Sequence, residues 1–468
     1  MFARVGASII LARILTPGDF GIMAMVLLIT SLFSQIALTG ATSAIVVKKN
    51  LDSRDLNTAF LLCISIGMLL CAALYFSASL FERLFDASGL NEALQISTIF
   101  IMIVSISCVS NAILVKNIRF GVITIISSAA VVFEMGIAIW LAYLGHGYWS
   151  LIWAWLVSEA MISIAKIAVV KWLPGIQFSK KSAIFIYRYL STHVINNLLV
   201  YLYSNTDRVV ISWLLGPTAF GLYTFALRMP SLVIDRIVAP ATGVILPMLA
   251  KKEYTENMTG AFDDYSKVAK YLALISFPFL TTLFILAEPL VLLLWGEKWI
   301  EVILPMQILC VAYVISCIGR PLGLIFIAGK KPGVVPMISI IKLPFSYIMV
   351  TVSCLFWGLS GIAFGIFLRS LLFGIDYYFV KKYFGASFIY FLKQITPIIL
   401  STLFCGITML VVKNYTITIG LSNVLEIAFS IIFGFFIFIL TLQLFSKPTM
   451  VEVMSIANAV IKDRQKGS

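Results

Sequence analysis

The 468-residue chain has little charge, because Asp, Glu, Lys and Arg together make up only 12% of it. A soluble domain carries about 25% charged residues, whereas 61% of this chain is hydrophobic. A water-soluble fold must cover its surface with polar groups, so this composition excludes a soluble enzyme, a disordered chain and a nucleic-acid-binding module. The remaining solvent is the lipid bilayer, and the composition predicts a polytopic membrane protein.

Metal ligands and disulfide patterns are also scarce. The chain has only two histidines, which leaves no His-rich metal centre. Its seven cysteines lie inside apolar runs without a CxxC pair, as is typical of small buried hydrophobic residues. We therefore expect no metal site, no disulfide framework and no cofactor.

Long apolar runs are abundant. A membrane-spanning helix needs about 20 mostly apolar residues, and cutting the chain at Gly, Pro and charge clusters gives thirteen such runs. They are residues 20–47, 56–80, 90–115, 121–145, 148–171, 184–216, 220–249, 268–295, 299–328, 333–357, 361–381, 390–412 and 420–445. The stretch before Phe20 is a shorter, additional run, which we interpret as a first helix whose beginning is missing from this sequence. Counted from this first run, residues 184–216 are the seventh run and residues 220–249 the eighth.

Lysine and arginine concentrate in alternate loops, whereas the intervening loops carry almost none. The basic loops contain Lys48, Lys49, Arg54, Lys116, Arg119, Lys171, Lys180, Lys181, Lys251, Lys252, Lys267, Lys270, Lys330, Lys331, Lys381, Lys382 and Lys393. This bias places basic loops on the cytoplasmic side of a membrane. We therefore expect an even number of spans, with both termini in the cytoplasm. The short loops on the other side leave no room for a catalytic domain.

One motif recurs at an offset of 200 residues. LTPGDFG at residues 15–21 returns as LGPTAFG at residues 215–221, and in the same register Ser31 matches Ser231 while Gln35 matches Asp235. Two copies of a six-helix unit in one orientation indicate two lobes related by an axis along the membrane normal. We expect an all-α polytopic fold of about 14 transmembrane helices, with two six-helix lobes in a pseudo-twofold parallel repeat and two additional C-terminal helices.

The repeat and the loops divide the chain into five predicted segments. Residues 1–172 form the N-lobe, whose first helix is incomplete, and residues 173–183 form a cytoplasmic linker. Residues 184–383 form the C-lobe and residues 384–446 the two additional helices. Residues 447–468 form a cytoplasmic tail.

Ionisable residues inside the apolar runs are functional candidates, because a charge at mid-bilayer costs roughly 2.5–3.5 kcal/mol on insertion scales. At 3.6 residues per turn, the eighth run places a polar stripe within a narrow arc of one helix. Its members are Thr224, Arg228, Ser231, Asp235 and Thr242. Such a stripe lines a hydrated cavity or forms ion pairs that hold helices together, and both interpretations stay open.

The seventh run carries a second polar face, made of His193, Asn196, Asn197, Ser204, Asp207 and Arg208. Asp207 and Arg208 fall near the predicted outer end, where snorkelling to the interface is the alternative to a binding role. Across the C-lobe, embedded basic residues outnumber acidic ones. The basic set is Arg208, Arg228, Arg236, Arg320, Lys342 and Arg369, against Asp207, Asp235 and Asp376. This surplus favours phosphate groups over cationic ligands.

The N-lobe offers one candidate for ion coupling. Glu134 has no evident partner on its own helix, so we consider it for coupling to protons or sodium. A packed structural carboxylic acid is an equal alternative for this residue.

Several motifs resemble those of one family. They are ARILTPGDFGIMAM at residues 12–25, DLNTAF at 55–60, GHGYW at 145–149, AEPLVLLLWGEKW at 287–299, and the stretch from Asp207 to Arg228. These segments resemble bacterial polysaccharide transporters of the lipopolysaccharide type, in the multidrug/oligosaccharidyl-lipid/polysaccharide (MOP) flippase superfamily. The resemblance implies a V-shaped two-lobe transporter that flips an undecaprenyl-diphosphate-linked oligosaccharide from the inner to the outer leaflet of the bacterial cytoplasmic membrane.

On that basis we expect Arg228, Arg208 and Arg320 to bind the diphosphate. Four further residues are expected to line the sugar cavity: Asp235, Asn197, Ser231 and Gln35. Coupling to protons or sodium through Glu134 stays open beside the membrane potential alone, which supplies about 2.3 kcal/mol per charge per 100 mV. The expected partners are the lipid-linked oligosaccharide, membrane lipids and polysaccharide polymerase or export machinery, without nucleic acid.

Three alternatives stay open. A drug or cation antiporter of the same superfamily would need a dominant acidic site in the membrane. A polytopic polysaccharide polymerase or glycosyltransferase would need catalytic groups on sizeable outward loops. The third is a structural membrane partner in a cell-envelope complex.

Overall fold

The computed structural model describes residues 2–48, 51–243, 249, 259–329, 331, 333–385 and 388–452. Across these residues the chain is helical with short connections, and no strand occurs among them. Ten segments there are long and apolar enough to cross a membrane. The all-α polytopic class predicted from composition is therefore confirmed.

The chain forms two compact units, Met1–Thr224 and Phe225–Ser468. Unit 1 contains α1 (Phe2–Ile14), α2 (Pro17–Val47), α3 (Ser53–Phe85), α4 (Leu90–Lys116), α5 (Phe120–Tyr143), α6 (Tyr148–Val170), α7 (Lys180–Ser204), α8 (Thr206–Leu214) and the first turns of α9 (Gly216–Val233). In unit 1, α2 packs on α4 and α7, α3 on α4, and α6 on α4 and α5. The proposed division into N-lobe, linker, C-lobe, extra helices and tail stays a prediction.

Unit 2 continues α9 through a π-helical turn (Ile234–Val238). It then contains α10 (Thr259–Ile285), α11 (Ala287–Leu294), α12 (Ile303–Gly319), α13 (Gly323–Ala328), α14 (Val334–Leu371), α15 (Phe373–Phe384), α16 (Phe388–Ile419) and α17 (Asn423–Phe445). Short 3₁₀ turns cover Glu297–Val302 and Arg320–Leu322. The α16 helix packs on α10 and α17, and α12 packs on α10 and α14.

Local sequence explains where α2 begins. The backbone N–H of Asp19 donates to the Thr16 side-chain oxygen at 3.3 Å, and the Thr16 N–H donates to the Asp19 carboxylate at 2.8 Å. This reciprocal capping box satisfies two backbone donors, and Pro17 fits the first turn because its missing N–H has no partner there anyway. The repeated motif is therefore a helix start.

The predicted seventh span, residues 184–216, is not one helix. It is divided at Asn205, which ends α7 and precedes α8 with φ −112° and ψ 20°. The Asn205 side chain donates to the Tyr201 carbonyl oxygen at 2.9 Å. Asn side chains compete with backbone hydrogen bonding in this way, and hydropathy alone does not register such a break.

The predicted eleventh and twelfth spans form one continuous segment, Val334–Phe384. Inside α14 the chain reverses at Trp357 and Gly358, where Gly358 has φ +54°. A glycine adopts this left-handed conformation without the strain that a Cβ would introduce. The short first run (13 helical residues) and the polar seventh and eighth runs are not among the ten apolar segments found in the described residues.

Candidate functional site

The two copies of the repeated motif contact each other directly inside unit 1. A Cβ atom placed on Gly21 would lie 1.7 Å from the Pro217 carbonyl oxygen, and one placed on Gly221 would lie 1.8 Å from the Pro17 carbonyl oxygen. The starts of α2 and α9 therefore cross backbone to backbone. Only glycine permits this approach at both positions.

A second contact joins α2 and α7. The Tyr201 hydroxyl donates to the Leu28 carbonyl oxygen and lies 2.8 Å from the Ser31 hydroxyl. Our sequence analysis missed Tyr201, although a phenol within an apolar run indicates a buried hydrogen bond. Ser31, the counterpart of Ser231 in the sequence repeat, takes part in this contact.

The polar end of α8 is also tied down within unit 1. The Tyr223 hydroxyl donates to the Asp207 carboxylate at 2.6 Å, and Asp207 is buried. Arg208 is exposed, and its guanidinium donates to the Asn205 side-chain oxygen at 3.2 Å. The two adjacent residues therefore differ in role. Asp207 fixes α8 to α9, and Arg208 stays accessible to an anion.

In unit 2, Arg228 is held against an aromatic cluster. Its guanidinium carbon lies 5.0 Å from the centroid of the Phe225 ring, one helical turn earlier on α9. Phe225 in turn stacks on Trp299 with ring centroids 3.8 Å apart and meets Trp295 edge-on at 4.9 Å. All three rings are buried, so the WGEKW motif forms the packing that orients the turn of α9 bearing Arg228.

The polar stripe predicted on the eighth run is not a regular α-helical arc. Residues Ile234–Val238 form a π-helical turn, in which the Ala239 N–H bonds to the Ile234 carbonyl oxygen. Pro240 follows directly and has no N–H for the usual bond to residue 236. The extra residue in this turn shifts the later positions around the axis. Asp235 is exposed in the turn, and the Ser231 hydroxyl donates to the Arg228 carbonyl oxygen at 3.1 Å.

The other predicted binding residues occupy different elements. Arg320 is exposed in the 3₁₀ turn Arg320–Leu322 of unit 2. In unit 1, Gln35 is exposed on α2, and Asn197 is half-buried on α7 with no hydrogen-bond partner for its Nδ2 among the described residues. The side chains of His193 and Asn196 lie outside the described residues. The assignment of this set to substrate binding stays a prediction.

Glu134 faces a neighbouring helix. The Ser158 hydroxyl on α6 is 3.5 Å from the Glu134 carboxylate and 3.3 Å from the Ala130 carbonyl oxygen, both on α5. Glu134 is half-buried in this helix pair. The contact favours the structural interpretation of this residue, while its role in ion coupling stays a prediction.

One of the embedded basic residues of the C-lobe has a close acidic partner. Lys342 on α14 donates to the Asp376 carboxylate on α15, and the Lys342 side chain is only 9% exposed. This ion pair removes one positive charge from the surplus inferred from the sequence.

The DLNTAF motif holds the connection between α6 and α7. The Gly175 N–H donates to the Asn57 side-chain oxygen at 2.9 Å, and the Ser179 N–H donates to the Thr58 hydroxyl at 2.9 Å. Asp55 accepts hydrogen bonds from the Ser182 hydroxyl and, at 2.6 Å, from the Lys48 ammonium. The start of α3 thus binds the predicted linker through three polar side chains, those of Asp55, Asn57 and Thr58.

The model of the family described as "Polysaccharide biosynthesis protein" matches residues 10–304, which is more than half of the chain. The chain belongs to this family. The predicted resemblance to bacterial polysaccharide transporters is confirmed, and the chain is a multi-pass membrane protein.

Two curated relatives illustrate the family. The chain is 24% identical over 391 residues to the lipopolysaccharide biosynthesis protein WzxC of Escherichia coli (strain K12), covering 81% of this chain and 77% of the relative. It is 27% identical over 292 residues to the succinoglycan biosynthesis transport protein ExoT of Rhizobium meliloti (strain 1021), covering 62% of this chain and 58% of that protein.

Solved structures share the fold. The lipid II flippase MurJ in an inward closed conformation superposes with a TM-score of 0.80 at 14% identity, covering 96% of this chain and 98% of that one. An inward-facing multidrug resistance MATE family transporter of the MOP superfamily gives a TM-score of 0.63 at 17% identity, covering 82% and 94%. At such identities the likeness shows a common MOP-type fold.

Proposed function

We propose that this family member is a flippase that moves an undecaprenyl-diphosphate-linked oligosaccharide from the inner to the outer leaflet of the bacterial cytoplasmic membrane by alternating access. The proposal is supported by membership of the polysaccharide biosynthesis family and by the similarity to a lipid II flippase fold. The chain's basic loops favour cytoplasmic termini. Polysaccharide polymerase or export machinery is the protein partner that such a substrate implies.

The observation that carries a diphosphate site is the placement of Arg228. Its guanidinium is oriented by Phe225, which Trp299 and Trp295 hold in turn. A planar guanidinium fixed in this way is suited to bidentate contact with phosphate oxygens. A cation antiporter would instead require a dominant carboxylate.

Alternating access also requires a contact that opens and closes. The crossing of Gly21 with Pro217 and of Gly221 with Pro17 joins the starts of α2 and α9. With cytoplasmic termini, both starts lie at the outer end of their helices. We therefore assign this crossing as the contact that must separate when substrate is released outward.

The test is translocation of a labelled undecaprenyl-diphosphate oligosaccharide in proteoliposomes, with a cationic dye in parallel. We expect Arg228→Ala to abolish glycolipid movement at unchanged protein abundance and Arg228→Lys to retain part of it. Arg83→Ala is the matched control, since Arg83 is exposed in the last turn of α3 and lies outside the basic set expected to favour phosphate. Full glycolipid movement by Arg228→Ala would remove the assigned site. Dye movement without glycolipid movement would establish a cation antiporter instead.

A further inference from the structure

A cavity of about 250 Å³ opens in unit 2 where α10, α16 and the segment after α17 meet. Three lysines line it: Lys267 and Lys270 from α10, and Lys393 from α16. The polar lining is completed by Tyr271, Gln394, Ser446, Thr449 and Glu452. Lys267, Lys270 and Lys393 belong to the loops that the sequence predicts to be cytoplasmic.

The charges of the lining do not balance. Among the described residues that line the cavity, Glu452 is the one carboxylate, and it faces three ammonium groups. Its Oε2 accepts from the Lys270 ammonium at 2.7 Å and from the Tyr271 hydroxyl at 3.2 Å. The Lys270 side chain is 13% exposed and that of Glu452 is 49% exposed. A largely buried cation is therefore paired with a carboxylate that can move away.

The cavity also offers a hydrogen-bond acceptor. The side-chain oxygen of Gln394 is buried and has no hydrogen-bond partner among the described residues. A buried acceptor without a donor is costly, and a ligand hydroxyl would satisfy it. The lysines, the Tyr271 phenol and the Gln394 oxygen together suit a ligand with a phosphate anion and a neighbouring hydroxyl group.

An apolar groove of about 520 Å³ uses the same two helices and α12. On α10 it begins at Phe277 and Leu280, seven or more residues beyond Lys270, or about 10 Å along the axis. On α16 its lining begins at Phe391 and Leu392, beside Lys393 and Gln394, and continues through Ile395 and Ile399. An anionic head site followed by an apolar groove matches the order of groups in a phospholipid.

We propose that this cavity binds the phosphate of an anionic membrane phospholipid in the adjacent leaflet, and that Glu452 is an internal anion which the lipid phosphate displaces from Lys270. The lipid is a resident ligand and not the transported substrate, so the inference does not rest on the proposed function. Displacement would break the contact of the Glu452 carboxylate with the Lys270 ammonium and the Tyr271 hydroxyl. Lipid binding is thereby linked to this contact between α10 and the segment after α17.

The experiment is native mass spectrometry of the full-length protein in detergent, titrated with phosphatidylglycerol and, separately, with zwitterionic phosphatidylcholine. We expect selective retention of phosphatidylglycerol. Lys270→Gln and Lys393→Gln should each weaken its affinity about fivefold, as expected for one lysine at an anionic surface. Glu452→Gln should strengthen it by removing the competing anion. Lys381→Gln is the control, since Lys381 is an exposed lysine outside the cavity lining.

Folding is checked by the melting temperature of each variant, and Lys270→Arg, which keeps the charge, should retain binding. Equal retention of both lipids, or phosphatidylglycerol affinity unchanged in Lys270→Gln and Lys393→Gln, would overturn the proposal. A third titration uses inorganic phosphate with thermal stability as the readout. Lys270-dependent stabilisation by inorganic phosphate without phosphatidylglycerol binding would also overturn it, because the ligand would then be a soluble phosphate.

Discussion

Gly21 lies so close to Pro217 that a single methyl group cannot be placed between them, since a Cβ on Gly21 would be 1.7 Å from the Pro217 carbonyl oxygen. Gly21→Ala must therefore displace the backbone of α2 or α9. We expect a loss of stability of about 1–3 kcal/mol, seen as a lower melting temperature of the purified protein. Gly121→Ala is the control, because nothing lies within 4 Å of a Cβ at Gly121. Equal melting temperatures for both variants would contradict the crossing.

The same crossing predicts a conditional block of transport. A Cβ on Gly18 would lie 3.5 Å from the Thr218 hydroxyl, so side chains at these two positions would be in direct contact. Cys71 is half-buried and the other six cysteines are buried, so the experiment uses a Cys71→Ser background. In it, Gly18→Cys combined with Thr218→Cys should cross-link under oxidation and stop glycolipid translocation, and reduction should restore translocation. Either single cysteine variant serves as the control. Undiminished transport by the fully cross-linked protein would show that this contact need not open.

The aromatic packing beneath Arg228 predicts a graded effect at Trp299. Trp299→Ala removes the ring that stacks on Phe225 and should cost about 3–5 kcal/mol of stability. Trp299→Phe keeps an aromatic ring and should fold well. We expect Trp299→Phe to weaken glycolipid binding more than it slows turnover at saturating substrate, because it loosens the orientation of Arg228. An equal loss in both quantities would assign Trp299 a purely structural role.

The hydrogen bonds from the DLNTAF motif to the α6–α7 connection predict a change in protease sensitivity. Asn57→Ala combined with Thr58→Val removes the acceptors for Gly175 and Ser179, at about 1 kcal/mol per hydrogen bond. Trypsin cleavage after Lys171 should therefore become faster in the double variant. Thr124→Val is the matched control, since the Thr124 hydroxyl bonds only within its own helix to Phe120. Identical cleavage rates would show that these hydrogen bonds do not hold the connection.

The Lys270–Glu452 pair predicts a dependence of stability on pH. The Lys270 ammonium holds the pKa of the Glu452 carboxyl below its usual value, against a smaller opposing effect of burial. Because its pKa is lowered, the Glu452 carboxylate stabilises the folded protein at pH values above the ordinary glutamate pKa of about 4.3. This contribution is lost as the pH falls through the lower pKa that the group has in the folded protein. At neutral pH the free energy of unfolding of the wild type should exceed that of Glu452→Gln by less than about 1 kcal/mol. The measurement is the difference between their melting temperatures as a function of pH. The difference should vanish in acid, and a constant difference would contradict the pairing.

Hydropathy and repeats predicted most of the fold from the sequence. Eleven of the thirteen full-length runs coincide with the ten apolar segments of the described chain, because two of those runs share the segment Val334–Phe384. The motif at residues 15–21 and 215–221 also identified two equivalent helix starts. The average hydrophobicity of a run predicts a spanning helix because such a helix must be apolar along its whole length.

The details of the site were less accessible to sequence reasoning. The break at Asn205 and the π-helical turn before Pro240 depend on which N–H group donates a hydrogen bond to which backbone carbonyl oxygen. To predict the direct contact between the two repeat copies, one must know where both helices lie in space, and sequence periodicity does not give this. Nor does composition show that Lys342 pairs with Asp376 while Arg228 lies on an aromatic ring. These are pairwise relationships between distant residues.

The reversal at Gly358 has a consequence for biogenesis. The two halves of α14 are joined by Trp357 and Gly358, and a Cβ on Gly361 would lie 1.9 Å from the Ser353 carbonyl oxygen. A connection this tight gives the first half no freedom to settle in the bilayer before the second half is made. We therefore expect the two halves to insert together as one helical hairpin, in which the cost of inserting Lys342 is shared by about twice the apolar length that a single helix would supply.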